Sequence, residues 1–242
     1  MSFLSTIFNA ILYRPIFNGL IFLYDIIPGH DLVIAIIILT ILIRLALFPL
    51  FQKSIKAQKE INVLQPKIKE IQEKYKKDKE RQARELMALY KKHKVNPMSG
   101  CLPVLLQLPV FIAFIRVLQA GIKTENLGLL YSFVPNPQTI NFMFLGIIDL
   151  AKANVFLAIL AGVAQFVQSK MMAPKTEPKN EKNGQLDFSR ALTTQMTYLM
   201  PIFIVFIGLK FPAGLPLYWT VITVFGIIQQ YFTAKGKNKA CK

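Results

Sequence analysis

The feature that most constrains this sequence is a run of twenty residues, Leu32 to Phe51, that contains a single charged side chain. An α-helix rises about 1.5 Å per residue, so this run would span about 30 Å, the thickness of the hydrocarbon core of a bilayer. In the whole chain 53% of residues are hydrophobic and 17% are charged, against about 45–50% and about 25% in soluble domains. The sequence therefore predicts an all-α membrane protein, and a water-soluble enzyme is disfavoured.

Four further apolar runs have lengths near that of a membrane span. They are Cys101 to Leu118, Ala153 to Gln168, Thr194 to Leu209 and Leu215 to Phe232. The two that begin at 153 and 194 are shorter and more polar, so each could instead be a buried or re-entrant segment. We predict a core of five transmembrane helices, the first at 31–51 and four more, with their connecting loops, within 101–232.

Basic residues are distributed unevenly between the loops. The loop 52–100 has fourteen Lys or Arg against six acids, and the tail 233–242 has four lysines and no acid. Residues 1–31 have one arginine against two aspartates, and the loop 119–152 is balanced. Because cytoplasmic loops carry the excess of Lys and Arg, we predict that the N-terminus lies outside and the basic tail in the cytoplasm.

The first thirty residues match neither a signal peptide nor a membrane span. Their apolar side chains recur at helical spacing opposite Ser5, Thr6 and Asn9, and Pro15 and Gly19 interrupt the helical pattern after Leu12. This pattern is typical of an amphipathic helix that lies in the outer membrane interface. The alternative is a short hydrophobic segment that packs against the bundle.

The loop 52–100 contains two helical apolar series. The first is Ile61, Leu64, Ile68, Ile71 and Tyr75, and the second is Ala83, Leu86 and Leu89 or Tyr90. Two antiparallel helices would join these stripes, so we predict a cytoplasmic helical hairpin. Pro66 lies inside the first series, where we expect a helix to begin or kink.

No motif of a known catalytic chemistry occurs in the sequence. Walker, nucleophile-elbow and zinc-protease patterns are absent, and two histidines and two cysteines give no metal-ligand spacing. We expect no enzyme activity in the bond-making sense, no catalytic residues, no metal and no cofactor.

Arg44 is the residue that most needs an explanation. It stands seven residues before Phe51, and an arginine near a helix centre costs about 2.5–3.5 kcal/mol on insertion scales. The side chain could extend along the helix to the inner headgroups, or it could face a water-filled cavity. The second interpretation predicts other polar residues at the same depth.

Polar residues do recur in the cytoplasmic half of all five runs. We predict that they line one hydrophilic groove together with Arg44: Thr40, Gln107, Gln165, Gln168, Thr194, Thr197, Trp219, Thr223 and Gln230. In the last run Trp219, Thr223, Gly226 and Gln230 fall on one helical face. The outward end of the groove would be closed by apolar residues such as Ile36, Phe111, Phe203 and Leu217.

Several stretches resemble the YidC family of membrane protein insertases, bacterial relatives of the mitochondrial and chloroplast Oxa/Alb insertases. They are Leu64-Gln65-Pro66-Lys67-Ile68, Met87-Ala88-Leu89-Tyr90-Lys91, Val95-Asn96-Pro97, Gly100-Cys101-Leu102-Pro103 and Gln107-Leu108-Pro109-Val110-Phe111. Arg44 with Phe48-Pro49-Leu50 resembles the first core span, and Phe211-Pro212-Ala213-Gly214-Leu215-Pro216-Leu217-Tyr218-Trp219 the last hairpin. The similarity runs from about Tyr13 to Gln230. Neither a large preceding domain nor an N-terminal lipid-anchor cysteine is expected here.

The resemblance implies a five-span core in the bacterial inner membrane that helps nascent membrane proteins to enter the bilayer. It implies that Arg44 is the groove arginine, that Trp219 faces the substrate, and that residues 53–95 form the hairpin. Expected partners are nascent membrane proteins, the ribosome and membrane lipids, with no DNA; the Sec translocon and signal-recognition-particle targeting components are candidates. Two alternatives stay open from the residues, a small channel or transporter and a passive membrane tether for ribosomes.

Overall fold

The fold is helical almost throughout. The computed structural model describes residues 3–96, 102–121, 129–137, 140–144, 147–173 and 195–237. In the described ranges the chain is helical, as predicted, apart from two strands of two residues each. Three parts of the predictions lie outside the described residues. They are Cys101 at the start of the second apolar run, the groove residue Thr194, and residues 238–242 of the basic tail.

The N-terminal segment is helical from Phe3 to Ile26. Helix α1 (Phe3–Phe8) continues through a π-helical turn (Asn9–Tyr13) into α2 (Arg14–Ile26). The prediction that Pro15 and Gly19 interrupt the helix is wrong. Pro15 stands in the first turn of α2, where a residue without an N–H is tolerated. A Cβ at Gly19 would come within 3.2 Å of Leu39 Cδ1, so α2 packs closely against α3 (Leu32–Ala46).

The first predicted span is divided into two helices. Helix α3 starts after Asp31, whose Oδ1 accepts hydrogen bonds from the backbone of Val33 and Ile34 at 2.8 and 3.2 Å. It ends at Ala46 and not at Phe51, and α4 (Phe48–Lys74) leaves at an angle of 66°. Pro49 explains the break, because a straight helix would place its ring against the carbonyl of Leu45.

The distal part of α4 packs against α5 (Lys79–Lys92) as a helical hairpin. Leu64, Ile68 and Val95 are the buried residues of its seam. At the turn, Asp78 caps α5 by accepting a hydrogen bond from Arg81 N at 2.9 Å. No helix begins at Pro66, because α4 runs through it.

The described part of the connection between α6 (Leu102–Gly121) and α7 (Val155–Met172) is tied to the N-terminal segment. Asn18 Oδ1 accepts a hydrogen bond from Tyr131 N at 2.6 Å, and Tyr24 Oη accepts one from Asn141 N at 2.8 Å. Strands β1 (Met143–Phe144) and β2 (Ile148–Asp149) pair antiparallel in this region, following α6 (Leu102–Gly121). Strands of two residues give no recognisable alternation in a sequence.

The remaining helices pack through small residues. They are α7 (Val155–Met172), a π-helical turn (Gln195–Leu199), α8 (Met200–Gly208) and α9 (Gly214–Lys237). A Cβ at Gly162 would overlap with the Val205 side chain, and one at Gly208 would come within 2.8 Å of Ala158 Cβ. Such close approach of two backbones is typical of helix pairs in membranes.

Within the described ranges, two continuous helices are long and apolar enough to cross a membrane alone, Ser5–Ile26 and Val155–Met172. The bent pair α3 and α4 makes a third if it is counted as one span. Shorter apolar helices occur at Leu105–Leu118 and Thr197–Gly208. The five-span core therefore stays a prediction, as does the interfacial position of the N-terminal segment, which packs against the bundle core through Phe17 and Ile21.

Candidate functional site

Arg44 is buried, with 7% of its surface exposed. Its Nη2 donates a hydrogen bond to the carbonyl oxygen of Ile222 in α9 at 3.0 Å, and the guanidinium lies 4.1 Å from the centre of the Phe51 ring. Among the described residues, no acceptor reaches its Nε. Because α3 ends at Ala46, the arginine is in the last turn of the helix, where the helix dipole favours a cation. Its charge is thus held inside the bundle by α9 and by the start of α4.

Gln168 and Gly226 bring α7 and α9 to this arginine. A Cβ at Gly226 would overlap with Gln168 Nε2 and would lie 3.7 Å from Arg44 Nη2. Glycine therefore leaves the space that the glutamine amide occupies. Thr223, one turn earlier in α9, is buried as well. On the predicted polar face of α9, Thr223, Gly226 and Gln230 are buried and Trp219 is half-buried.

A second polar contact lies along the same pair of helices. Trp219 Nε1 donates to Gln165 Oε1 at 3.1 Å, and Gln165 Nε2 donates to Ser169 Oγ at 3.2 Å. The Trp219 ring meets Phe111 of α6 edge-on, with the ring centres 4.9 Å apart. The indole is half-buried and fully hydrogen-bonded, so it joins α6, α7 and α9.

Gln107 of α6 reaches α9 through Tyr218. Its Nε2 donates to Tyr218 Oη at 2.5 Å, and the Tyr218 ring stacks on Phe114 with centres 4.1 Å apart. Thr40 is also buried, but its hydroxyl donates to the carbonyl of Ile36 in its own helix at 2.6 Å. The Thr40 hydroxyl proton is therefore not available to another group in the site.

The other predicted groove residues have different positions. Thr197 is buried in the π-helical turn before α8, and Thr194 lies outside the described residues. Gln230 is buried, and within the described ranges no donor reaches its Oε1. Of the apolar residues predicted to close the groove, Ile36 is buried and Phe111 contacts Trp219, but Phe203 is 53% exposed. That part of the closure is wrong.

Three residues that take part in the contacts of the candidate site were not predicted from the sequence. Phe51 covers the guanidinium, Tyr218 receives Gln107, and Gln229 donates to the carbonyl of Phe48 at 3.3 Å. Tyr218 adjoins Trp219 in an apolar run and carries no separate signal. Gln229 could have been noticed as half of the pair Gln229-Gln230 at the inner end of the last run.

Comparison with known proteins gives a consistent result. The family described as 60Kd inner membrane protein matches residues 22–240. Proteins named "Membrane protein insertase YidC" are similar over most of the chain: 36% identical over 96% of it in Geobacter sulfurreducens, 38% over 93% in Syntrophus aciditrophicus and 33% over 93% in Rickettsia akari.

The chain covers only part of those relatives. It spans 38%, 36% and 39% of their respective lengths. The resemblance seen in the sequence motifs is confirmed, and the family together with the apolar helices supports a membrane location. By the match over 219 of its 242 residues, the chain belongs to the 60Kd inner membrane protein family.

Proposed function

We propose that this chain is a membrane protein insertase, which assists the insertion and folding of nascent membrane proteins. The observation that carries the proposal is the similarity, over most of the chain, to proteins named membrane protein insertase. The buried cation at Arg44, beside polar groups of α7 and α9, supports it. Insertion needs no step at Arg44 or Trp219 that makes or breaks a covalent bond.

The groove is the central part of this proposal. Arg44, Gln168, Gln165 and Trp219 lie along the α7–α9 pair, and we place their polar side chains at the wall of a cavity open to the cytoplasm and to lipid. A hydrated cavity that reaches partway into the bilayer shortens the dry path, which is about 30 Å in an undisturbed membrane. Arg44 would attract acidic residues in the short tail that a substrate must move across.

The substrate's apolar helix would then leave along α7 and α9. Both helices have exposed apolar side chains, among them Ile159 and Val163 in α7 and Val224 and Ile228 in α9. Burial of apolar surface in lipid is favourable by about 25 cal/mol per Å². The hydrophobicity of the substrate therefore drives its transfer, and no nucleotide is needed.

The proposed topology has five spans with the N-terminus outside and the hairpin and tail in the cytoplasm. The seam of the hairpin is small, with three buried apolar residues, and much of the surface of α5 is exposed and charged. These features suit contact with the ribosome or with targeting components. The basic tail would add a second contact with ribosomal RNA, and the Sec translocon is a further proposed partner.

Insertion by the purified chain tests the proposal. Proteoliposomes that contain only this protein should insert a small single-span substrate, whereas protein-free liposomes should not. Ion flux without insertion would favour a channel or transporter. Ribosome binding without either would favour a passive tether. Either of these results would refute the insertase proposal.

A further inference from the structure

A cavity of about 590 Å³ lies between the start of α4 and the end of α9. Its apolar wall includes Phe48, Phe225 and Phe232, and its polar wall includes Gln52, Lys56 and Gln229. The volume falls within the range of about 300–1,000 Å³ that is typical of ligand sites. No residue of the predicted groove lines this cavity, although Gln229 belongs both to its wall and to the contacts between α9 and the start of α4 described above. We call this cavity the α4–α9 crevice.

The crevice has the depth of the inner membrane interface in the proposed orientation. It starts at Phe48, directly after the bend that ends α3, and α4 then continues into the charged hairpin. At its apolar side Phe48 and Phe232 are exposed, with 39% and 66% of their surface accessible. In that orientation the hydrocarbon core of the bilayer would begin here, so these exposed aromatic rings would contact acyl chains.

The polar side of the crevice is ordered by hydrogen bonds between the two helices. Gln52 Oε1 accepts from Thr233 Oγ1 at 2.9 Å and from Gln229 Nε2 at 3.4 Å. Gln229 is 4% exposed, and no donor among the described residues reaches its Oε1. The arrangement fixes the helix pair and leaves a polar rim next to an apolar slot.

Lys56 supplies a positive charge at that rim. It is exposed, and among the residues that the structure describes no carboxylate forms an ion pair with it. A basic residue above an apolar slot between membrane helices, on the cytoplasmic side, matches the phosphate and the acyl chain of an anionic lipid. Among the described residues that line the crevice, Lys56 is the one that carries a charge, which suits a single phosphate group.

We propose that the α4–α9 crevice binds one anionic phospholipid of the inner leaflet, with an acyl chain against Phe48, Phe225 and Phe232 and the phosphate at Lys56. This inference depends on the proposed orientation and not on insertase activity. A test of lipid binding can therefore fail while insertion succeeds, and the reverse.

Fluorescence quenching by brominated lipids tests the proposal on the full chain in liposomes. Trp219 is the only tryptophan, so a Trp219→Phe background makes Phe232→Trp a single reporter at the crevice. Phe203→Trp, on an exposed face of α8, is the control reporter. Each is measured with a small fraction of brominated phosphatidylglycerol or brominated phosphatidylcholine in otherwise unlabelled phosphatidylcholine.

We expect an apparent affinity for phosphatidylglycerol about fivefold above that for phosphatidylcholine at the Phe232→Trp reporter, from one lysine near an anionic group. Lys56→Gln should abolish this preference. Lys53→Gln is the matched control, because Lys53 is exposed on the same helix but does not line the crevice, and it should keep the preference. The Phe203→Trp reporter should show none.

Three results would overturn the proposal. Equal quenching by the two lipids at the Phe232→Trp reporter would show that no anionic lipid is selected. Equal loss in Lys53→Gln and Lys56→Gln would show a diffuse surface charge without a site. Absence of quenching by either lipid would show that a protein segment, such as the chain's own tail, fills the crevice.

Discussion

Replacement of Arg44 by alanine is expected to leave the fold intact. The lost hydrogen bond from a charged donor to Ile222 O is worth about 1.5–3 kcal/mol, and the lost contact with the Phe51 ring about 2 kcal/mol in a desolvated site. Removal of the cation from the membrane returns about 2.5–3.5 kcal/mol. The difference is a destabilisation of about 0–2.5 kcal/mol, which a folded bundle should tolerate.

The effect on insertion should depend on the charge of the substrate. A contact between a charged donor and an acidic residue is worth about 1.5–3 kcal/mol, or about 10- to 150-fold in a rate or binding constant. Arg44→Ala should therefore slow substrates with acidic tails at least about tenfold more than neutral ones. Arg44→Lys should retain much activity because the charge persists, and Arg44→Glu should be worse than alanine for acidic tails.

The assay is insertion by purified variants in liposomes, with three substrates that differ only in acidic, neutral or basic tail residues. Thermal unfolding of each variant in detergent controls for loss of folded protein. Equal relative losses for the three tails would refute the electrostatic role, and the groove would then act through hydration and bilayer thinning alone. An alanine variant as active as the parent on every tail would assign Arg44 to the fold only.

Three further predictions concern the topology, the helix packing and the hairpin. In intact cells, a cysteine at the exposed Asn136 should react with an impermeant thiol reagent and one at the exposed Val63 should not; the reverse pattern would contradict the proposed orientation. Gly162→Ala should lower the free energy of unfolding by about 1–3 kcal/mol, because its Cβ would overlap with a side chain of α8. The control Val163→Ala changes an exposed position and should alter that free energy by less than about 1 kcal/mol. Chemical denaturation measures both. Deletion of residues 76–81 should impair insertion while the circular dichroism of the bundle is retained, and normal insertion rates would show that the tip is only a connection.

The hairpin could be predicted because its signal is local. Apolar residues three and four positions apart define both stripes, and Asp78 gives α5 a capping residue at its start. The family motifs were equally local, and the comparisons confirm them. Proline was the less reliable guide, because Pro66 and Pro15 are accommodated within helices whereas Pro49 accompanies the sharp bend.

The contacts of the site could not be predicted because they depend on which helices are neighbours. Periodicity places Trp219, Thr223 and Gly226 on one face of α9, but it does not show that Gln165 and Gln168 meet them. Similarly, an apolar run has no preferred side when both the core and the lipid are apolar. Phe203 was therefore assigned to the interior although it is exposed.

The bend at Leu47 and the contact of Asn62 together determine how a force on the hairpin reaches the bundle. Helix α4 has 27 residues, so it is a rod about 40 Å long that is hinged three residues beyond Arg44. Asn62 Nδ2, near the middle of the rod, donates to Met172 O at the end of α7 at 2.9 Å. A sideways force on the tip is therefore divided between the hinge and this support, which is one helical turn from Gln168. Loading the hairpin would strain both sides of the candidate groove at once.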